Sequence, residues 1–338
     1  MDWTGICGFG SVISAFLKGY SSIPKMSSFL CWALDSLLSS FGISLTACRG
    51  YTRLTATMQC MQQLRKIKLT LGVQNRYLTE ENRRLKMYVA FMFALGVAVM
   101  SSNNRLINHG GFSFKGSILT CCYEYICVLL ILQGTQFTFC VYEIITVLKT
   151  LNDSLDKMRY LKRQEIFVVG HNLIKSISKS LEVMTHCYDE ICTVIRKLER
   201  ASSVTLIFML GVLTMRFVIK PFLIVRNFFT SDIEATDSTL VLSYWMVMYF
   251  LGILMVLEPC HITQAEAKRT GVILSMLANM FTDTNISRKL FNFSRYIGLN
   301  EVRYCPMGIC LLSRSLLNTI LGSSFTYLII IIQFQSYE

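Results

Sequence analysis

The residues of this sequence that could do chemistry are polar and aromatic side chains set inside long apolar stretches. A charged group among apolar residues is costly, so it usually faces a wet cavity, a ligand or an opposite charge. A pocket lined by aromatic rings with a few polar groups is the usual site for a small molecule. We therefore expect the ligand-binding residues to be Trp32, Asp35, Tyr123, Glu124, Tyr125, Arg216, Tyr244, Trp245 and Tyr249.

Two other interpretations of these residues stay open. Asp35 and Glu124 have the charge to pair with Arg216 or Lys220, and such ion pairs would hold the helices together. Tyr and Trp side chains near the end of a span also form interfacial belts, which anchor a helix without binding a ligand.

Catalytic and metal-binding patterns are missing from the sequence. The 13 cysteines include no Cys-x-x-Cys spacing, and the four histidines are scattered. The apolar stretches contain no His/Asp or Ser/His pair. We therefore expect neither an enzyme nor a bound cofactor. Glu143 and Glu258 lie towards the opposite ends of their stretches from the ligand candidates, and we expect both to be structural.

The composition is that of a membrane protein. The 338 residues are 53% hydrophobic and 16% charged, with a mean hydropathy of +0.47, whereas a soluble chain carries about a quarter charged residues. A bilayer core of about 30 Å needs about 20 apolar residues of helix. This predicts an all-α, polytopic fold in one domain, residues 1–338, with spans near 5–19 (a weak span), 28–48, 86–102, 117–148, 202–226, 239–257 and 315–334.

Basic residues lie mostly in three of the segments between these spans. Of the 33 Lys and Arg, nine fall in 49–86, ten in 149–201 and seven in 258–314. Positively charged loops stay in the cytoplasm, so we expect these three segments inside, with the N-terminus inside and the C-terminus outside. G-protein-coupled receptors have the opposite orientation and are excluded. Because the net charge of +12 follows topology, no nucleic-acid partner is expected.

Two of the cytoplasmic segments have helical amphipathic patterns. One apolar face within 173–198 comprises Leu173, Ile177, Leu181, Met184, Tyr188, Ile191, Ile195 and Leu198. A second, within 262–280, comprises Val272, Leu274, Met276, Leu277 and Met280. Such faces need a partner. We expect the helices to extend below the membrane into a compact base, and packing within one subunit and packing between subunits both stay open.

The last predicted helix has one polar or small stripe. Stepping back from Gln333 by three and four residues gives Ile330, Thr326, Gly322 and Thr319. Close packing of helices through small residues would produce this pattern. The alternative is a pore-lining face, with Ile330, Gln333 and Phe334 at its outer constriction.

The segment TYLIIIIQF resembles the C-terminal signature of the insect gustatory receptor family, related to insect odorant receptors. Thr326, Tyr327, Gln333 and Phe334 occupy its fixed positions. The preceding run VRYCPMGICLLSRSLLNTILGSSF is also similar, with Gly308 at the family's glycine. The close match covers roughly 300–335.

This resemblance implies a taste receptor that is a tetrameric, ligand-gated, non-selective cation channel of the plasma membrane of chemosensory neurons. The last helix would line the pore, with Gln333 and Phe334 at the extracellular gate and Thr326 and Tyr327 holding the helix against its neighbours. The implied partners are a small-molecule tastant, the lipid bilayer and either identical or related subunits, without a G protein. An odorant-receptor-like subunit and a membrane transporter are the alternatives. A transporter would be expected to have repeats and interrupted helices, and Pro221 is the only proline within a predicted span.

Overall fold

A computed structural model of the chain describes residues 48–72, 114–164, 171–229, 233–281 and 283–335, with single positions between 37 and 44 and between 83 and 97. The regular structure in these residues is helical, without a β-strand, which agrees with the predicted all-α class. In chain order the elements are α1 (Gly50–Leu71), α2 (Phe114–Gln164), α3 (His171–Phe229), α4 (Ile233–Met280), α5 (Thr284–Leu299), the 3-10 turn Pro306–Gly308 and α6 (Arg314–Gln335).

Three of the described helices are long and apolar enough to cross a membrane. The stretches concerned are Leu130–Tyr160 in α2, Lys175–Pro221 in α3 and Thr239–Met280 in α4, which overlap the predicted spans 117–148, 202–226 and 239–257. The 47 residues of the second stretch make a helix of about 70 Å, more than twice the thickness of the hydrocarbon core. A helix of this length is consistent with the predicted extension beyond the bilayer, and the cytoplasmic base itself stays a prediction.

Other parts of the predicted topology stay predictions. The span 5–19 lies outside the described residues, and 28–48 and 86–102 are described only at single positions. The number of seven spans and the side of the membrane on which each end lies rest on the sequence pattern alone.

The core lies where α4 packs along both α2 and α3. Ile144 and Leu148 of α2 and Val256 of α4 are fully buried there. A Cβ atom at Gly134 of α2 would lie 2.6 Å from the sulfur of Met209 on α3. A larger residue at Gly134 would therefore displace Met209, and this small residue lets the two helices approach closely, as is usual between membrane helices.

The first predicted amphipathic face packs inside the subunit. Six of its members are buried, namely Leu181, Met184, Tyr188, Ile191, Ile195 and Leu198. Ile177 is half-buried against the same core. Tyr188 makes an edge-to-face contact with Phe293 of α5, with ring centroids 5.8 Å apart. This face therefore packs within its own subunit.

The second predicted face is divided between the core and the surface. Leu274 and Leu277 are buried, whereas Val272, Met276 and Met280 are exposed. Packing within the subunit therefore accounts for only part of this face.

Helix α5 lies outside the apolar spans and is strongly amphipathic. Asp283 caps it by accepting hydrogen bonds from the main-chain N–H groups of Asn285, at 2.8 Å, and Ile286, at 3.2 Å. Its buried face consists of Ile286, Leu290, Phe293 and Ile297, at the spacing of one helical stripe.

A tight turn follows α5. Gly308 has φ of 71°, which a glycine adopts without steric cost, and its N–H donates to the carbonyl oxygen of Cys305 at 2.8 Å. This turn reverses the direction of the chain between the end of α5 and the start of α6.

Candidate functional site

Helix α6 packs on its own subunit through a narrow face. Ile320 and Ser324, separated by one helical turn, are 8% and 7% exposed. This face lies against α3 and α4. The rest of the helix therefore remains available for lipid, water or other subunits.

The predicted polar stripe lies on the opposite side of α6. Thr319, Gly322, Thr326, Ile330 and Gln333 are all exposed. With 100° of rotation per residue, their mean direction points away from Ile320 and Ser324. The stripe thus faces away from the body of its own subunit, and Tyr327 at its flank is exposed too. Phe334 lies on α6, and its side chain is outside the described part.

The stripe's hydroxyl groups are hydrogen-bonded within α6. Thr319 donates to the carbonyl oxygen of Ser315 at 3.0 Å, and Thr326 donates to that of Gly322 at 2.9 Å. Each hydroxyl thereby uses its proton on the helix backbone, and its oxygen keeps lone pairs as acceptors. A row of such oxygens can face an apolar surface without an unsatisfied donor, and it can also accept from water or approach a cation.

A second set of predicted residues meets between α3 and α4. The guanidinium carbon of Arg216 lies 6.0 Å from the ring centroid of Tyr249, within range of a cation–π contact. Trp245 stacks on Tyr249 with centroids 5.6 Å apart and ring planes 24° apart. All three side chains are 1% exposed or less. We call Arg216, Trp245 and Tyr249 the aromatic–arginine cluster.

One polar atom of this cluster lacks a hydrogen-bond partner among the described residues. The indole Nε1 of Trp245 is buried and, in the described part of the chain, has no hydrogen-bond partner. A buried donor without an acceptor is costly and calls for an explanation, such as a water molecule or a ligand. The cluster therefore offers an N–H donor beside aromatic faces.

Other predicted ligand residues do not join this cluster in the described structure. Tyr244 is 49% exposed and points away from its neighbour Trp245, which is buried. Trp32 and Asp35 lie outside the described residues. Tyr123, Glu124 and Tyr125 lie on α2, and their side chains are outside the described part, so the predicted pairing of Asp35 or Glu124 with Arg216 or Lys220 stays a prediction.

The two carboxylates expected to be structural each form an ion pair. Glu143 of α2 pairs with Lys68 of α1. Glu258 of α4 pairs with Arg314, the first residue of α6, in a two-pronged contact in which Arg314 Nε donates to Glu258 Oε2 at 2.9 Å. Both pairs join different helices, which is what a structural role for these carboxylates predicts.

Two residues near this ion pair are not among the predicted site residues. Arg314 has a signal in the sequence, namely its position at the start of an apolar helix together with the carboxylate at 258. Pro259 lies inside α4, although a proline just after an apolar stretch usually indicates a helix terminus.

Comparison with known proteins agrees with the resemblance of the last helix. The profile of the family described as "7tm Chemosensory receptor" matches residues 5–338. The chain belongs to this family. The match extends the resemblance from residues 300–335 to almost the whole chain, and the family is one of receptors rather than enzymes.

Curated relatives in this family include gustatory receptors of Drosophila melanogaster. The chain is 29% identical to "Gustatory receptor for sugar taste 43a" over 91 residues, which are 27% of this chain and 21% of that receptor. It is 27% identical to "Putative gustatory receptor 28b" over 106 residues, which are 31% of this chain and 23% of that protein. The aligned stretch spans less than a quarter of either relative.

A solved structure has a similar fold. The chain superposes on the insect olfactory receptor OR5 from Machilis hrabei with a TM-score of 0.56, covering 93% of this chain and 90% of that chain at 11% identity. This likeness shows that the two chains share a fold.

Proposed function

We propose that this chemosensory receptor is a gustatory receptor that acts as a ligand-gated, non-selective cation channel. The observation that carries the proposal is the exposure of Thr319, Gly322, Thr326, Ile330 and Gln333 on the side of α6 that faces away from its own subunit. This face is exposed among the described residues of the single subunit, and in an assembly around a central axis the same face would line a shared path.

The chemistry of the stripe suits weak cation selectivity. Its polar members contribute neutral oxygens, and α6 contains no Asp or Glu between Arg314 and Gln335. Rings of carboxylates select cations strongly, whereas apolar constrictions close a pore by dewetting. The side chain of Ile330 would form such a constriction, and Gln333 and Phe334 would complete it at the outer end.

The ligand would bind at the aromatic–arginine cluster. Aromatic faces provide apolar contact area, while Trp245 Nε1 and Arg216 provide donors for an oxygen-bearing tastant. Sugar taste is named for one relative, so sugars come first among the compounds to test.

The assembly and location follow from the same proposal. The subunits form a tetramer, either of identical chains or with related receptor subunits, in the plasma membrane of chemosensory neurons. The N-terminus and the segments 49–86, 149–201 and 258–314 lie in the cytoplasm, and the C-terminus lies outside. No G protein is needed, because the ion path belongs to the receptor itself.

The test is to record whole-cell current from cells that express the chain alone and together with related subunits. The bath contains sugars, bitter compounds or carbon dioxide in turn, and surface protein is measured in the same cells. We expect one class of compound to evoke a cation current. Silence towards every compound in both expression formats, with the protein at the surface, would contradict the channel proposal.

An odorant-receptor-like subunit is the second candidate, because the similar solved structure is an olfactory receptor. The same recordings with a panel of volatile odorants distinguish the two. Current evoked by odorants and by no tastant would favour this second candidate.

A further inference from the structure

Polar contacts from α3 and α4 hold the segment between α5 and α6. On one side, the N–H of Cys305 donates to a carboxylate oxygen of Glu199 on α3 at 2.6 Å. On the other, Gln264 Nε2 of α4 donates to the carbonyl oxygen of Leu312 at 3.1 Å. The segment that leads into α6 is therefore hydrogen-bonded to both helices that carry the aromatic–arginine cluster.

The Glu258–Arg314 ion pair completes this junction at the first residue of α6. Its two-pronged geometry fixes the orientation of the guanidinium group as well as its distance. The side chains are 33% and 59% exposed, and ion pairs this exposed contribute little to folding stability. Its main physical effect is therefore to fix the position of one helix relative to another.

Both members of the pair lie on helices that also carry residues with the proposed functions. Glu258 follows Tyr249 of the cluster by nine residues on α4, about 14 Å along the helix at 1.5 Å per residue. Arg314 begins the helix that carries Ile330 and Gln333. A displacement of α4 at the cluster can thus reach α6 through this ion pair, in addition to the packing of Ile320 and Ser324.

We propose that Glu258 and Arg314 are positioning residues for gating, and that their ion pair couples the movement of α4 on ligand binding to α6. This inference rests on the channel function proposed above. A ligand shifts a conformational equilibrium only by its different affinity for the two states, so the helix that binds it must be connected mechanically to the helix that gates. The pair supplies that connection partway along α4, just after the predicted span 239–257.

The test reverses the charge of one member of the pair at a time, and a third variant exchanges the two residues. The variants are Glu258→Arg, Arg314→Glu and the double exchange. The matched control exchanges Glu182 and Lys289, an ion pair of α3 and α5 that does not contact α6. Basal sodium current and the current evoked by the same panel of sugars, bitter compounds and carbon dioxide are recorded for the chain alone and with related subunits. Each current is divided by the amount of surface protein.

Each single variant should change the basal or evoked current per surface receptor by about threefold to fivefold, the effect that an exposed ion pair can supply. The double exchange should return it to within about twofold of wild type, and the control exchange should leave it unchanged. A purely structural pair would alter the amount at the surface but not the current per receptor.

Two outcomes overturn the inference, and they are distinguishable. A conducting wild type with unaffected single variants, or single variants that the exchange does not rescue, contradicts the coupling alone. A wild type without basal or evoked current, in any expression format, contradicts the channel function and the coupling with it.

Discussion

The hydroxyl of Thr138 on α2 donates a hydrogen bond to the main-chain carbonyl oxygen of Met255 on α4, at 3.1 Å. Pro259, four residues after Met255, lies inside α4 and has no N–H to donate to that oxygen. Thr138 therefore replaces the donor that the proline removes. The contact lies one turn before Glu258 and satisfies the backbone at the point where α4 is interrupted.

Replacing Thr138 by Val should destabilise the protein, because it keeps the side-chain shape and leaves the carbonyl of Met255 buried without a donor. We expect a loss of about 1 kcal/mol or more, measured as a lower midpoint of thermal unfolding in detergent. Thr138→Ser should retain most of the stability. Thr135→Val is the matched control, since Thr135 is bonded within its own helix, to the carbonyl oxygen of Leu132.

A double-mutant cycle separates this explanation from a general packing defect. Pro259→Ala restores an N–H for the carbonyl of Met255, so Thr138→Val should cost much less in that background. Equal costs in both backgrounds would show that the hydroxyl does not act through this carbonyl.

Asn152 should be among the least replaceable polar residues of α2. It is fully buried, its amide donates to the carboxylate of Glu266 at 3.0 Å, and it accepts from Thr270 at 2.7 Å. Asn152→Leu removes both of these hydrogen bonds from a buried site, and a loss of about 2 kcal/mol is expected. Asn152→Asp places a second carboxylate against Glu266 and should be worse.

The midpoints of thermal unfolding of both Asn152 variants are compared with the midpoint of Asn292→Leu. Asn292 is an exposed residue of α5, so its replacement should stay within about 0.5 kcal/mol of wild type. Similar midpoints for the variants at 152 and 292 would mean that the buried network does not support the α2–α4 contact.

The hydroxyl of Tyr296 on α5 should make the stability of the fold depend on pH. This hydroxyl donates to the carboxylate of Asp189. Burial first, and then this hydrogen bond, raise the pKa of Tyr296 from 10.0 to about 12. A folded-state pKa above the unfolded value gives a stabilisation that is complete below pH 10 and is lost as the pH rises through 12.

Tyr296→Phe should therefore lower the unfolding midpoint by the same amount between pH 6 and pH 9, with the difference shrinking from about pH 10 upward. Unfolding scans of both proteins across that range check it. A difference that instead disappears between pH 6 and pH 8 would assign the effect to another titrating group.

The indole N–H of Trp245 should set the sensitivity to ligands at the aromatic–arginine cluster. Trp245→Phe keeps an aromatic ring against Tyr249 and removes the donor. We expect about tenfold more ligand for half-maximal current, the effect of one lost hydrogen bond. Tyr244→Phe is the control, because Tyr244 is exposed. An unchanged dose–response curve for Trp245→Phe would remove this donor from the ligand site.

Much of the helical arrangement could be predicted because the bilayer imposes a simple length rule. Runs such as 202–226 and 239–257 are apolar for as long as a membrane requires, and spacing of three and four residues identified Leu181 and Ile191 as buried. The same periodicity identified the stripe from Thr319 to Gln333, since an exposed helix face is a local property of the sequence.

Contacts between distant residues could not be predicted. Nothing local to Thr138 indicates that it lies beside Met255, 117 positions along the chain. Likewise, Tyr244 and Trp245 are equally aromatic neighbours, and only the packing of α4 makes one exposed and the other buried. The sequence predicts Arg216 and Tyr249 only as ligand-binding residues, and the packing of α3 on α4 brings the two side chains together.

The central claim, that the exposed stripe of α6 lines the ion path, is tested most directly by cysteine substitution under recording. A charged thiol reagent is applied from outside to Ile330→Cys, to Phe325→Cys and to wild type during evoked current. Phe325 is 65% exposed but lies off the stripe. If the stripe lines the ion path, the reagent should rapidly block the current of Ile330→Cys and leave the currents of Phe325→Cys and wild type unchanged. Block of Phe325→Cys with Ile330→Cys unaffected would contradict the claim.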